Sequence, residues 1–219
     1  MRRKYDGQWY RTLAFTQKNT LYSARGGMTS SEWRETISVP GKLRIDYLPL
    51  TQRSGVLFDG TRVHTFDNGR AIDAQPGVNA VLLVTADVYT LPLERSTQLL
   101  DSLGFDLSRF RRDSWEGQSA FVVGAPAGDS TTSQFWIDAE RLVALRVVQK
   151  ERRGTRDFVT DVRLGKFNDF SGIPIATEVT QYRDGRLVFK EQRVDIRMNE
   201  AIPDATFDAT KWVAAQPKN

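Results

Sequence analysis

The stretch from Ser114 to Val148, SWEGQSAFVVGAPAGDSTTSQFWIDAERLVALRVV, decides the fold class of this chain. It predicts three β-strands, because Val, Ile, Phe and Trp are concentrated in Ala120–Val123, Gln134–Asp138 and Leu142–Val148. Gly, Pro, Ser and Asp separate these runs and are typical of turns. The fold is therefore expected to be built mainly from β-strands.

The last of these predicted strands is apolar on both of its faces. Alternation places Leu142, Ala144 and Val148 on one face and Val143, Leu145 and Val147 on the other. A strand in a sheet with one wet face would alternate between apolar and polar residues. This strand therefore needs cover on both faces, from a helix layer, a second sheet or a bound apolar ligand.

The composition is that of a globular protein with a sizeable core. Of the 219 residues, 40% are hydrophobic, 11% are aromatic and 26% are charged. The absence of cysteine excludes disulfides and thiolate metal sites. Since no repeat or low-complexity linker divides the sequence, we predict a single domain spanning residues 1–219.

The chain carries a small excess of positive charge, +4 from 31 basic and 27 acidic residues. The basic clusters fall mostly at loop-like positions between apolar runs, which favours solvated loops. An anionic surface such as lipid headgroups or nucleic acid is the alternative, and we predict no nucleic-acid partner.

The sequence contains no apolar run of about 18 residues, the length that spans a membrane. Its first ten residues, MRRKYDGQWY, include no apolar segment typical of a signal peptide. We therefore expect that the protein either stays in the cytoplasm or has lost a signal that preceded residue 1.

Two long strands are predicted in the N-terminal part, Trp9–Ala24 and Glu32–Leu48. In the second, Pro40-Gly41 is expected to form a bulge that bends the strand, because proline cannot donate a ladder hydrogen bond. Glu35 and Gly41 interrupt an otherwise apolar face of this strand. The apolar residues on that face are Trp33, Ile37, Val39, Leu43, Ile45 and Tyr47. Alternation places Arg44 and Asp46 on the opposite, outer face.

Three dipeptides predict tight hairpins, because Asn, Asp and Gly accept the positive φ angles of primed turns. They are Asp59-Gly60, Asn68-Gly69 and Asp184-Gly185. Most of the sheet is therefore expected to be an antiparallel meander.

The apolar spacing changes from period 2 to helical spacing between residues 78 and 110. We predict one or two helices here, with Thr90 as an N-cap, Pro92 in a first turn and Gly104 at the C′ position. The last residues before the C-terminus include Phe207 and Trp212, which are expected to dock on the sheet.

The sequence shows no catalytic or metal-binding constellation. The only histidine, His64, lies in a predicted strand and is expected to be structural, and no serine lies in a nucleophile elbow. One histidine and no cysteine cannot supply the ligands of a zinc or iron site. No cofactor, no metal and no enzymatic activity are predicted.

Several segments, taken in order along the chain, resemble the LolA-like family of outer membrane lipoprotein-sorting and lipoprotein carrier proteins. They are Phe15-Thr16-Gln17-Lys18, Pro40-Gly41-Lys42-Leu43-Arg44-Ile45, Asp59-Gly60, Leu103–Leu107, Gln134-Phe135-Trp136-Ile137-Asp138, Gly172-Ile173-Pro174 and Phe207-Asp208.

The resemblance implies a mostly β (α+β) fold, in which one strongly curved antiparallel sheet forms an incomplete barrel. A helical lid inserted around residues 78–110 would close its concave face over acyl chains. It also implies a periplasmic location, with a signal peptide removed before residue 1. One position departs from the family, since Val39 stands where the carrier has an arginine that hydrogen-bonds the lid.

The leading hypothesis is a periplasmic, non-enzymatic carrier or binding protein for lipid or lipoprotein acyl chains. The alternative is a sensor or interaction module of the same fold that detects lipoproteins and signals to a partner protein. Membrane-associated donor or acceptor proteins are possible partners, and the sequence leaves the oligomeric state open. The candidate ligand-binding residues are Leu13, Phe15, Ile37, Val39, Leu43, Ile45, Tyr47, Leu82, Leu83, Tyr89, Leu99, Leu100, Phe135 and Ile137.

Overall fold

The computed structural model describes residues 1–217, without the side chain at position 153. Its α-helices are α1 (Ala80–Thr85) and α2 (Leu93–Ser102). Its strands are β1 (Thr12–Tyr22), β2 (Met28–Ser38), β3 (Lys42–Tyr47), β4 (Gly55–Asp59), β5 (Arg62–Asp67), β6 (Arg70–Pro76), β7 (Phe110–Trp115), β8 (Gln118–Val123), β9 (Gln134–Asp138), β10 (Ala144–Arg153), β11 (Arg156–Phe170), β12 (Ile173–Arg183) and β13 (Arg186–Met198). Short 3₁₀ helices lie at Arg2–Tyr5, Leu50–Gln52, Asp87–Tyr89, Asp204–Phe207 and Ala209–Lys211.

All 13 strands form one antiparallel sheet in the order β6-β5-β4-β3-β2-β1-β13-β12-β11-β10-β9-β8-β7. Neighbours in the sheet are neighbours along the chain, except for β1, which pairs with β13. The sheet stays open, because β6 and β7 are its two edge strands. The helices connect these edges, since α1 and α2 lie between β6 and β7 in the chain. The mostly β, open half-barrel predicted from the sequence is confirmed.

Two of the predicted hairpin turns have the expected backbone. Asn68 and Gly69 have φ angles of 49° and 79°, and Asp184 and Gly185 have 49° and 77°. These positive angles match a type I′ turn, whose twist fits the flanking strands. The third turn lies one residue later than predicted, because β4 ends at Asp59 and the loop is Gly60-Thr61.

The prediction of one bent strand over Glu32–Leu48 is wrong, because this segment belongs to a hairpin. β2 and β3 pair with each other, and Pro40 and Gly41 lie in the turn between them. Gly41 has a φ of 78°, which lets the chain reverse where proline ends the ladder. The predicted apolar face survives, because directly opposite residues such as Ile37 and Leu43 project from the same side.

The first strand begins at Thr12 rather than at Trp9, because the preceding aromatic residues pack across the sheet. The Trp9 ring stacks on the Tyr89 ring with 3.6 Å between centroids. The Tyr5 hydroxyl donates to the carbonyl of Arg141 at 2.6 Å. The N-terminal segment is thus fixed against the helical insertion and the β9–β10 connection.

The doubly apolar segment forms β10, and a bulge changes the face assignment made from alternation. The pairing with β9 shifts between Ala144 and Arg146. Consequently, Ala144 and Val147 join one core cluster, whereas Leu145 joins another with Trp136. The prediction that Ala144 and Val147 lie on opposite faces is therefore wrong.

Both faces of β10 are covered, as its apolar pattern requires. α1 and α2 contribute Ala80, Leu83, Val84 and Leu100 to the cluster on the concave face. On the outer face, the Arg146 guanidinium lies 5.1 Å from the Trp115 ring and 5.6 Å from the Trp136 ring. Two hydrogen bonds of 2.7 and 2.9 Å to Asp161 compensate the buried charge of Arg146.

Candidate functional site

The helical insertion packs on the concave face of the sheet. Leu82, Ala86 and Tyr89 join a core cluster with Leu13 and Ile37 of the strands. α2 is more superficial, because its only buried residues are Ser96 and Leu100. The structure therefore places the predicted helices over the concavity of the half-barrel.

The ends of the helices differ from the sequence prediction. Asn79 caps α1 by accepting a hydrogen bond from the Leu82 amide at 3.0 Å. The predicted N-cap Thr90 is wrong, since α2 begins after Pro92 without a side-chain cap. Gly104, with a φ of 80°, follows the end of α2 as predicted.

A hydrogen bond joins the insertion to the β2–β3 turn. The Gly41 amide donates to Oδ1 of Asp87 at 2.9 Å. Burial raises the pKa of Asp87 to about 6, although the Gly41 amide opposes this shift. Asp87 therefore holds the insertion against the β2–β3 turn.

A cavity of about 180 Å³ lies between the concave face and α1. Five of the candidate residues line it, and they are Leu13, Ile37, Leu43, Ile45 and Leu82. Further apolar walls come from β11 and β12, through Val162, Leu164, Ile175, Ala176 and Val179. The sequence pattern did not single out these last residues as candidates.

The other candidate residues lie in packed regions around the cavity. Phe15, Val39 and Tyr89 pack in the same cluster as Leu13. Tyr47 packs against Trp33, with 4.9 Å between ring centroids. A second cluster, under α1 and α2, contains Leu83, Leu99, Leu100, Phe135 and Ile137.

One part of the cavity wall is polar, a feature that the alternation of apolar residues does not predict. Glu35 of β2 lines the cavity together with Glu191 and Arg193 of β13. Arg193 Nε donates a short hydrogen bond to Glu191 Oε1. The only signal in the sequence was the interruption of an apolar face by Glu35. The partner residues could not be found, because they come from the opposite end of the chain.

The electrostatics of this polar wall are unusual. Burial raises the pKa of Glu35 to about 8, and the charge of Glu191 adds to the shift. Burial acts to lower the pKa of Arg193, but the charges of Glu191 and Glu35 raise it on balance. At neutral pH the cluster therefore contains a largely protonated acid beside an ion pair.

Arg44 and Asp46 face the outer side as predicted, but they are buried there. Their side chains are 0% and 1% exposed and are joined by hydrogen bonds of 2.8 Å. Arg44 also donates to the carbonyl of Trp212 at 2.8 Å. The reason is that the C-terminal segment, with Phe207 and Trp212, covers the outer face of β3 and β4.

His64 has a carboxylate partner that the sequence did not indicate. Its Nε2 lies 2.8 Å from Oδ2 of Asp59 across the β4–β5 hairpin. Burial acts to raise the pKa of Asp59, but hydrogen bonds from His64, Thr61 and Arg62 lower it on balance. Among the described residues, no serine or threonine hydroxyl hydrogen-bonds to His64. The pair therefore lacks the nucleophile of a hydrolase triad.

Within residues 1–217, no cluster of three or more histidine, aspartate or glutamate side chains could hold a metal ion. No helix in this part of the chain is long and apolar enough to cross a membrane.

Solved proteins of low sequence identity share this fold. An outer membrane lipoprotein-sorting protein domain from Vibrio parahaemolyticus has a TM-score of 0.64 at 12% identity, covering 97% of this chain and 95% of that chain. A LolA superfamily protein from Nitrosomonas europaea has a TM-score of 0.56 at 11% identity, with 90% of each chain covered. A DUF1329 family protein from Desulfovibrio piger has a TM-score of 0.64 at 11% identity, with 98% and 94% covered.

No profile of a known protein family and no curated protein sequence matches this chain. The fold is thus that of LolA-superfamily and lipoprotein-sorting domains, as the resemblance of short segments implied.

Proposed function

We propose that this protein is a periplasmic, non-enzymatic carrier that binds lipid or lipoprotein acyl chains in the concavity of its half-barrel. The observation that carries the proposal is the largely apolar cavity between the sheet and α1. The shared fold of a lipoprotein-sorting domain and a LolA superfamily protein supports it. Each methylene group buried there would contribute about 0.8 kcal/mol to binding.

The size of the cavity indicates that loading requires movement of the helices. At about 180 Å³, it is only slightly larger than the apolar cavity of roughly 150 Å³ that holds one benzene molecule. A long acyl chain is several times larger than benzene. We therefore expect α1 and the 3₁₀ helix Asp87–Tyr89 to move away from the sheet when a chain enters.

A charge placed in the cavity tests this function. Ile45 lines the cavity and is only half-buried, so that Ile45→Glu is expected to fold. We expect this variant to bind a pyrene-labelled decanol at least tenfold more weakly, because a buried carboxylate must be desolvated. The measurement is a fluorescence titration of the full chain.

The matched control is Val194→Glu, since Val194 is also β-branched and half-buried but lies on the outer face of β13. Its affinity for the labelled decanol should equal that of the wild type. Undiminished uptake by a folded Ile45→Glu protein would argue against binding in this cavity. Lipid extracted from protein purified out of the periplasm and identified by mass spectrometry would give the natural ligand.

A further inference from the structure

The polar wall of the cavity continues along the concave face of β1. Alternation and pairing place Gln17 opposite Trp33 and Arg193, and Asn19 opposite Glu191. These two amides are 2% and 3% exposed. Among the described residues, Gln17 Oε1 and both side-chain polar atoms of Asn19 have no hydrogen-bond partner.

Unpaired buried amides are costly, because each has lost its hydrogen bonds to water. Gln17 lies diagonally from Glu35 across the β1–β2 pair and Asn19 lies opposite Glu191, and both of these carboxyl residues line the cavity. We call Gln17, Asn19, Glu35, Glu191 and Arg193 the polar subsite. Within it, Gln17 Oε1 is a buried acceptor that no donor reaches among the described residues.

The charges of the polar subsite favour a cation as that donor. Two carboxyl groups face a single guanidinium, and Arg193 is already engaged with Glu191. The Arg193 Cζ also lies 4.6 Å from the centroid of the Phe15 ring, so that the guanidinium already contacts a carboxylate and an aromatic ring. A cation can pair with Glu191 and with Glu35 once that carboxyl gives up its proton, whereas an anion would oppose the ionisation of Glu35.

Aromatic rings next to the polar subsite also suit a cation. Trp33 lies 5.5 Å from Phe189 and 4.9 Å from Tyr47, measured between ring centroids. By pairing, all three rings project from the concave face that carries Gln17 and Glu35. Aromatic faces beside acidic groups bind ammonium ions by cation–π attraction.

We propose that the polar subsite binds a primary ammonium headgroup of an amphiphile whose hydrocarbon chain lies in the apolar part of the same cavity. This inference rests on the proposed function, because it specifies the ligand class of that carrier. The ammonium group donates hydrogen bonds to Glu35, Glu191 and Gln17. The chain runs from there toward Leu13, Leu43 and Leu82, under α1.

Binding of an ammonium group should displace a proton. Glu35 is largely protonated at pH 7, since its pKa is about 8 in the free protein. A cation beside the carboxyl lowers this pKa, so that Glu35 ionises as the ligand binds. The titratable groups that face or influence Glu35 are Glu191 and Arg193 on β13 and Tyr47 on β3. Tyr10, before β1, influences Arg193.

The test compares decylamine, decanol and decanoate, each displacing the pyrene-labelled decanol from the full chain at pH 7. We expect decylamine to bind at least tenfold more tightly than either competitor. Calorimetry in buffers of different ionisation enthalpy should show release of close to one proton with decylamine and none with decanol.

Glu35→Gln keeps the size of the side chain and removes its charge. We expect this variant to bind decylamine and decanol with affinities within threefold of each other, and to release no proton. Measurable decanol binding by this variant verifies that the cavity is intact. Glu178→Gln, on the outer face of β12 beside Lys166, is the matched control and should behave as the wild type.

The possible outcomes separate the two proposals. Equal binding of all three compounds, insensitive to Glu35→Gln, would overturn the ammonium site and leave the carrier function standing. Tightest binding of decanoate would also overturn it, since Arg193 would then be the recognition group. If no compound binds, the proposed function itself fails.

Discussion

Glu35 places an ionisable group where the surrounding strand residues are apolar. The residue is 9% exposed and lies opposite Phe15 on β1 and Ile45 on β3. Burial favours its protonated form, and the raised pKa of about 8 follows from that. A proton taken up by the folded state but not by the unfolded state makes stability depend on pH.

We predict that the free energy of unfolding falls as pH rises from about 5.5 to 7.5, and that Glu35→Gln removes most of this fall. In this range Glu35 is ionised in the unfolded chain, where its ordinary pKa is 4.5, but protonated in the folded one. The free energy of unfolding of the wild type therefore falls by about 1.4 kcal/mol per pH unit relative to that of the variant. Urea denaturation at several pH values measures the difference; parallel pH profiles would contradict the burial of Glu35.

The helical insertion is the element that decides access to the cavity, and Asp87 is its contact with the β2–β3 turn. The raised pKa of Asp87, about 6, means that closure is favoured while the carboxyl is protonated. As pH rises from about 4 to 6, the Asp87 carboxyl ionises. This favours an open position of the insertion, in which water reaches the carboxylate. Tyr10 is the titratable group whose electrostatics are linked to Asp87.

We predict that Asp87→Asn stabilises the closed insertion at pH 7. The amide can still accept from the Gly41 N–H group, but it carries no charge to desolvate. After correction for intrinsic exchange, amide hydrogen exchange of α1 should slow at least tenfold relative to the wild type at pH 7, and little at pH 4.5. Asp101→Asn, on the exposed side of α2, is the control. Identical exchange in wild type and Asp87→Asn at pH 7 would show that Asp87 does not govern opening.

On the scale of the whole molecule, the C-terminal segment covers the outer face of β3, β4 and β5. The Trp212 ring stacks on the Phe66 ring with 4.2 Å between centroids and 4° between planes. A Cβ atom at Gly55 would clash with the Ile45 carbonyl oxygen and come within 2.9 Å of the Trp212 ring, so that this position requires glycine. The segment thus covers the outer face of these three strands, while the helices cover the concave face.

We predict that Trp212→Ala destabilises the protein by about 3–5 kcal/mol, because it leaves a cavity beside Phe66 and uncovers Arg44. Trp212→Phe should cost less, since it keeps the stacking and loses only the 3.0 Å hydrogen bond from Nε1 to the carbonyl of Arg53. Val213→Ala, at a more exposed neighbour, is the control. Chemical denaturation measures all three, and equal stability of Trp212→Ala and wild type would exclude a sealing role for the segment.

The sequence by itself determined the strand-rich composition, two of the primed turns and the common face of Ile37, Leu43 and Ile45. These features are local, because alternation and turn geometry depend on residues close together in the chain. For the same reason the face assignment survived although the single bent strand proved to be the hairpin of β2 and β3.

Only the tertiary structure decided which distant residues meet. The pairing of β1 with β13 brings Gln17 beside Arg193 and Asn19 beside Glu191, and the pairing of β1 with β2 adds Glu35. The bulge at Ala144 and the burial of Arg44 under Trp212 likewise depend on partners far along the chain. Side-chain periodicity records which face a residue occupies but not what lies opposite it, because strand register is fixed by packing of the whole sheet.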